Sequence, residues 1–345
     1  MGVDRVHRFL SRLLHGAVAV AGLTQAALAE PATHAERVAR VFVLAGQSNM
    51  EGQAVVDLAG PDYNDGRGTL ETLLRDPAHS IRWAHLRNAD GSWRSRDDVF
   101  VRYQREGEPL LAGPLGIGYT VYGGRHHFGA ELEFGHVMGD FCSRSGESVL
   151  LVKTAWGGKS LYGDFRPPSA GATTDADGND VPAPGPFYSL MIEQVREAVA
   201  AAPDLMPGVV RGELAGFVWW HGWNDGCDER RAAAAYAENL AAFIRDVRRD
   251  LDSPHLPVVI GELTGPWKDA PGAWGEVRRS QAAVAALPEF RDDVRFVSTR
   301  EFVRPSEESP NPEHGHHEFG NADTYLLVGE ALGQAMVNLL SKPTR

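Results

Sequence analysis

"VFVLAGQSNMEG", residues 41–52, is the stretch on which the reading of the fold turns. An apolar, β-prone run ends in Gly46, and the chain becomes polar at once with Gln47, Ser48 and Asn49. A short apolar run bounded by turn residues fits a strand buried on both faces, as in a parallel sheet covered by helices. In such sheets ligands bind beyond the carboxyl ends of the strands, where Ser48 is expected to lie. Taken alone, the same residues also describe a Ser/Asn turn capping the next helix. The rest of the chain has to decide between a site and a cap.

Four further runs read as strands: "SVLLVKTA" (148–155), "LAGFVWW" (214–220), "LPVVIGEL" (256–263) and "VRFVST" (294–299). Helical patterns lie between them. Over residues 230–251, Tyr236, Leu240, Phe243, Ile244, Val247 and Leu251 recur at helical spacing. "AELEFGHVMGDFCSRSG" (130–146) reads as a helix ended by Gly146. A last helix is expected over 322–340, with Leu327, Ala331, Ala335 and Leu339 as its buried face. Strand–helix alternation of this kind implies an α/β protein, a three-layer α/β/α domain with a central parallel sheet. Residues 53–128 and 163–186 break the rhythm, and long loops in a compact domain serve as walls or lids of a site, or are disordered. No internal repeat and no metal-type Cys/His spacing is present.

The N-terminus reads as a secretory signal peptide over residues 1–29. Arg5, Arg8 and Arg12 precede an apolar run, and Ala27-Leu28-Ala29 offers a small-residue cleavage site. A single domain is expected over 30–345, secreted or periplasmic. The chain carries a formal charge of −12, and loss of three arginines and one aspartate with the leader leaves −14. An acidic surface repels phosphate backbones and anionic lipid, which argues against nucleic acid and membrane as partners. Cys142 and Cys227 would permit one disulfide in an oxidising compartment; they are read instead as two small buried residues.

Three more segments fall where chemistry is expected. "KTAWGGKSL" (153–161) ends one strand with Gly157-Gly158, which lets backbone N–H groups approach a ligand closely. "FVWWHGWND" (217–225) ends another with Asn224, whose side chain can donate. "PEHGHHEFGNADTY" (312–325) places three histidines just before the last helix. Each has a bland reading as a turn, a cap or a polar loop. Together with Ser48 they supply a nucleophile, oxyanion donors and a base.

These blocks resemble the SGNH hydrolase superfamily, and within it the sialate O-acetylesterase-like and family 6 carbohydrate-esterase group. "GQSNMEG", "AWGGKSL", "HGWND" and the "HH" before "GNADTY" resemble its four blocks in order, and "FGAELEFG" (128–135) resembles a helix start of the group. The resemblance implies a flavodoxin-like fold and a serine esterase that removes O-acetyl groups from a carbohydrate, of acetylxylan or sialate type, with neither cofactor nor metal. It implies Ser48 as nucleophile, a base from His316 and His317, and an oxyanion hole from the N–H of Ser48, the N–H of Gly158 or Gly157, and Asn224. His221 stands where many relatives have a glutamine. The superfamily usually has an Asp three residues before its His. Here Glu313 precedes His316 by three and His314 precedes His317 by three. Counting back from the helix favours His317, with Glu313 as its local support. Gln47, His221, Trp156 and Lys159 are expected at the substrate, and Arg125, His126 and His127 at the mouth. A small-acyl esterase or thioesterase indifferent to sugar, and an inactive carbohydrate-binding relative, are the alternatives.

Overall fold

The computed structural model describes residues 36–342, so the segment read as an export signal lies outside the described residues. Seven strands form the main sheet: β1 (Arg37–Gly46), β2 (Arg96–Tyr103), β3 (Leu111–Leu115), β4 (Ser148–Ala155), β5 (Val209–Trp220), β6 (Val258–Gly261) and β7 (Val294–Val297). Their order is β7-β6-β5-β1-β4-β2-β3, and all neighbours are parallel except the hairpin pair β2/β3 at one edge. The helices that matter below are α1 (Ser48–Glu51), α2 (Glu131–Cys142), α3 (Pro186–Leu205), α4 (Trp223–Gly226), α5 (Tyr236–Asp250), α6 (Gly272–Ala285) and α7 (Ala322–Leu340). None among the described residues is long and apolar enough to cross a membrane.

The sheet is buried on both faces, and β1 shows how. Val41, Val43 and Ala45 join a core with α3, α5 and α6, through residues such as Met191, Leu240 and Val277. Phe42 and Leu44 point the other way, into a core with α2 and α7 through Phe134, Met138, Leu326 and Met336. Side chains alternate across a strand, so a strand covered twice must be apolar at every position. Trp219 and Trp220 follow this rule, one into each core, and both are buried.

The three-layer arrangement with a largely parallel sheet is the one expected, with three differences in detail. "RDDVFVRY" and "LAGPL", inside the stretch read as irregular, are β2 and β3. β3 tolerates Gly113 and Pro114 because it lies at an edge. The buried face of α7 is set by Tyr325, Leu332, Met336 and Leu339, whereas Ala331 and Ala335 are only half-buried. Cys142 is buried, Cys227 is exposed, and both are free thiols.

One charged residue sits in the middle of the sheet. Lys153 of β4 has no exposed surface. Its three N–H donors are all used: Glu131 Oε2 at 2.9 Å, the Glu51 carbonyl at 2.9 Å and the Tyr119 carbonyl at 2.6 Å. Glu131 opens α2 and also accepts from the Gly129 N–H at 3.0 Å. Removing one partner of a buried pair strands the other charge. Lys153→Met should therefore lower stability by ~3–5 kcal/mol, and Glu131→Gln in the same background should restore part of the loss. Urea unfolding of the three proteins checks this, and an unchanged midpoint for Lys153→Met would contradict it.

Candidate active site

β1 is flanked by β4 and β5, and its end is level with theirs: Gly46 pairs with Ala155 on one side and with Trp220 on the other. Three polar loops therefore leave the sheet side by side. The close approach requires Gly46, because a Cβ there would sit 2.2 Å from the Trp220 carbonyl oxygen. The next residues turn into α1, which begins at half-exposed Ser48. Among the described residues neither the Ser48 N–H nor its Oγ has a hydrogen-bond partner.

The turn that carries Ser48 is held from several directions. Gln53 Nε2 donates to the Ser48 carbonyl at 3.1 Å, and Lys153 Nζ donates to that of Glu51. The Glu51 carboxylate is buried; it accepts from Tyr103 Oη at 3.1 Å, and the nearby Gly157 N–H favours its charged form. Burial raises the Glu51 carboxyl above its ordinary range, against the pull of these donors and of Lys153.

Gly157 and Gly158 differ in their surroundings. The Gly157 N–H lies beside the Glu51 carboxylate and favours its charged form, while that of Gly158 has no partner among the described residues. Across the crevice, Asn224 Nδ2 donates to the Gly158 carbonyl at 2.9 Å, and its Oδ1 accepts from Gln47 Nε2 at 3.0 Å. Gln47 Oε1 in turn accepts from the Gly222 N–H at 3.1 Å. Gly222 has φ +134°, which a side chain would strain. Asp225 binds the N–H groups of Leu161 and Tyr162 at 2.8 and 2.9 Å, tying α4 to the loop after Gly158. Burial pushes the Asp225 carboxyl up to about 7.

The histidine segment, residues 314–317, packs over α1 from the other side. The His316 carbonyl accepts from Asn49 Nδ2 at 3.2 Å, and that of His317 from Tyr325 Oη at 3.3 Å. The two imidazoles are 4.0 Å apart by ring centroid, and His316 also lies 5.7 Å from Trp223. Burial and its histidine neighbours push His317 down to about 4, and lower His316 as well. Glu313 is exposed and forms no ion pair or hydrogen bond with either ring among the described residues.

Several residues expected at the substrate lie elsewhere. Gln47 is buried and braces Asn224 and Gly222 instead of facing the crevice. His221 is enclosed, stacked on Trp219 with ring centroids 4.5 Å apart, and its Nε2 donates to the Lys159 carbonyl at 3.0 Å. That enclosure pushes it down to about 3, so it is neutral. Trp156 is buried between Phe165 and Phe187. Their apolar bulk outweighs any gain from facing water. Lys159 alone of the four is partly exposed, over the Phe187 ring. At the mouth, His127 lies against exposed Tyr122, whose Oη donates to Gln53 Oε1 at 2.7 Å. His126 pairs with Asp57, and Arg125 is exposed.

Sequence reading gave no role to Asn49, Glu51, Lys153 or Glu318, which organise these loops. Their signal is weak, since a buried polar residue looks like any other in one sequence. Lys153 is the exception, being a lone charge inside an apolar strand.

Among solved structures, a protein from Arabidopsis thaliana is similar at 17% identity and a TM-score of 0.53, covering 87% of this chain and 98% of that one. NanS is similar at 13% identity and a TM-score of 0.56, covering 88% and 98%. XAC1771, a carbohydrate acetylesterase from Xanthomonas citri, aligns at 17% identity with a TM-score of 0.46, covering 86% and 56%. At these identities the likeness of the first two is one of fold. No curated protein sequence is significantly similar to the chain. The model of the carbohydrate esterase, sialic acid-specific acetylesterase family matches residues 38–337, so it spans the sheet, both cores and every loop of the crevice, and the chain belongs to that family.

Proposed function

We propose that the protein is a secreted or periplasmic serine esterase that removes O-acetyl groups from a carbohydrate through an acetyl-enzyme at Ser48. The observation that carries this reading is the pair of unpartnered N–H groups, of Ser48 and Gly158, beside the Asn224 amide at the end of β1. Ser48 Oγ attacks the acetyl carbonyl and loses its proton to a histidine of the 316–317 pair. The oxyanion that forms is met by the two backbone N–H groups and the second N–H of Asn224. Such donors contribute ~3–4 kcal/mol each to the transition state. The same histidine protonates the departing sugar oxygen, which leaves as a hydroxyl, then activates water to release acetate.

His317 is the proposed base. It is the more enclosed of the two rings, and its carbonyl is fixed by Tyr325. The family description supports an acetylated carbohydrate as substrate. The acidic chain supports neither nucleic acid nor membrane as a partner, and the N-terminal pattern supports export.

Ser48→Ala should fold as the parent does and lose ~1000-fold or more in kcat on p-nitrophenyl acetate and on acetylated xylan or sialic acid. Retention of a tenth of the parent activity would place the nucleophile elsewhere. Activity on p-nitrophenyl acetate with none on either sugar would favour the small-acyl esterase reading.

Asn224→Ala should lower kcat by ~100-fold with KM little changed, because the amide acts on the oxyanion. A fall in melting temperature with kcat intact would instead make it only a brace between Gly158 and Gln47.

His317→Ala should lose ~1000-fold in kcat, and His316→Ala far less. An imidazole held down at about 4 remains an unprotonated base well below neutrality. In the parent, kcat/KM should therefore stay level as pH falls to about 5 and drop only below it. An acid limb centred near 6.5 would contradict this assignment.

A further inference from the structure

His317 poses a problem for the proposed mechanism. In a serine triad a carboxylate holds the imidazole by its ring nitrogen. Among the described residues no carboxylate reaches the His316 or His317 ring, and Glu313 faces solvent. Something else has to orient the base.

The main chain of the histidine segment is fastened with unusual care. Asn49, next to the nucleophile, uses both amide hydrogens: one on the His316 carbonyl at 3.2 Å, one on Glu318 Oε1 at 3.0 Å. Tyr325 Oη spans Asn49 Oδ1 at 2.7 Å and the His317 carbonyl at 3.3 Å. Glu318 Oε1 also accepts from the Gly265 N–H at 2.8 Å, in the loop after β6. That loop is itself gathered by Arg278, which donates to the carbonyls of Leu263, Thr264, Trp267 and Lys268. One carboxyl oxygen thus joins the nucleophile turn, the β6 loop and the histidine segment.

The arrangement is energetically unfavourable in isolation. Glu318 and Phe319 have φ of +52° and +56°, a left-handed conformation that side chains disfavour. Glu318 is 1% exposed, and its Oε2 has no partner among the described residues. A buried polar atom without a partner lowers stability. Strain and an unsatisfied oxygen persist only where the surroundings enforce them, and such sites cluster where geometry serves function.

We propose that Glu318 is a positioning residue that sets the base against Ser48 by fixing the main chain of His316 and His317 through Asn49, in place of a carboxylate on the ring. This rests on the serine-esterase reading above. Burial pushes the Glu318 carboxyl up to about 8, so near neutral pH it is an uncharged acceptor. Glutamine keeps the same acceptor at the same reach; aspartate is shorter by one methylene and cannot meet both donors.

The test compares Glu318→Gln, Glu318→Asp and Glu318→Ala with the parent at pH 7. It reads kcat and KM on p-nitrophenyl acetate, melting temperature, and the rate at which an organophosphorus reagent modifies Ser48. Glu318→Asp and Glu318→Ala should lose ~100-fold in kcat and in modification rate, the effect of a displaced reacting group, with KM within about threefold. Glu318→Gln should stay within about threefold in all of them. A lowered melting temperature with kcat intact in Glu318→Asp would overturn the proposal, and so would a Glu318→Gln as slow as Glu318→Asp. Should Glu318→Ala not fold, the Gln and Asp variants decide. Modification of Ser48 in the parent tests the serine reading separately, and the ratios between variants test Glu318.

Discussion

A helix of four residues cannot hold itself together, since one turn fixes several dihedrals for a single hydrogen bond. Ser48 stands on such a helix, and the geometry of the crevice depends on what pins it. Lys153 holds the Glu51 carbonyl from inside the sheet, and Gln53 holds that of Ser48. The Glu51 side chain then lies against the Gly157 N–H, and the next N–H, that of Gly158, has no partner among the described residues. A buried ammonium is costly to desolvate, and here three acceptors compensate it. The Lys153–Glu131 pair thereby links the core of the sheet to the position of the serine.

The same economy of means runs through the neighbouring loops. Gln47 does not face a ligand; it braces Asn224 and Gly222 across the gap between β1 and β5. Asp225 ties α4 to the loop after β4. Glu318 closes the circle from β6 through Asn49 to the histidines. Polar side chains that look like substrate contacts in the sequence prove to be a frame that holds these loops, and with them the groups proposed to react. That is expected where a site must be preorganised, because an oxyanion donor is useful only if it needs no reorganisation.

What was legible in the sequence follows from this division. Val41–Gly46, Ser148–Ala155 and Leu214–Trp220 are recognisable because a strand covered on both faces has to be apolar throughout. β2 escaped notice because it begins with charges and keeps Arg102 paired to Glu197, and β3 because an edge strand accepts glycine and proline. Ser48, Gly158, Asn224 and the histidine pair stood out because they follow strand ends or precede the last helix. Trp156 and His221 were misplaced for a simple reason. A bulky ring just past a strand end can turn back onto the core as easily as toward solvent, and single-sequence spacing carries no sign of the choice. Glu318 was invisible because its role depends on Asn49 and Gly265, far away in the chain.

The central claim is that hydrolysis proceeds through an acetyl group carried on Ser48. The most direct measurement mixes the protein with an acetylated substrate, quenches it in acid within the first turnover, and maps the adduct by peptide mass spectrometry. The account predicts a single acetyl group on the peptide that carries Ser48, appearing before free acetate accumulates and lost on continued incubation. Turnover with no adduct on that peptide, or an adduct on another residue, would contradict it.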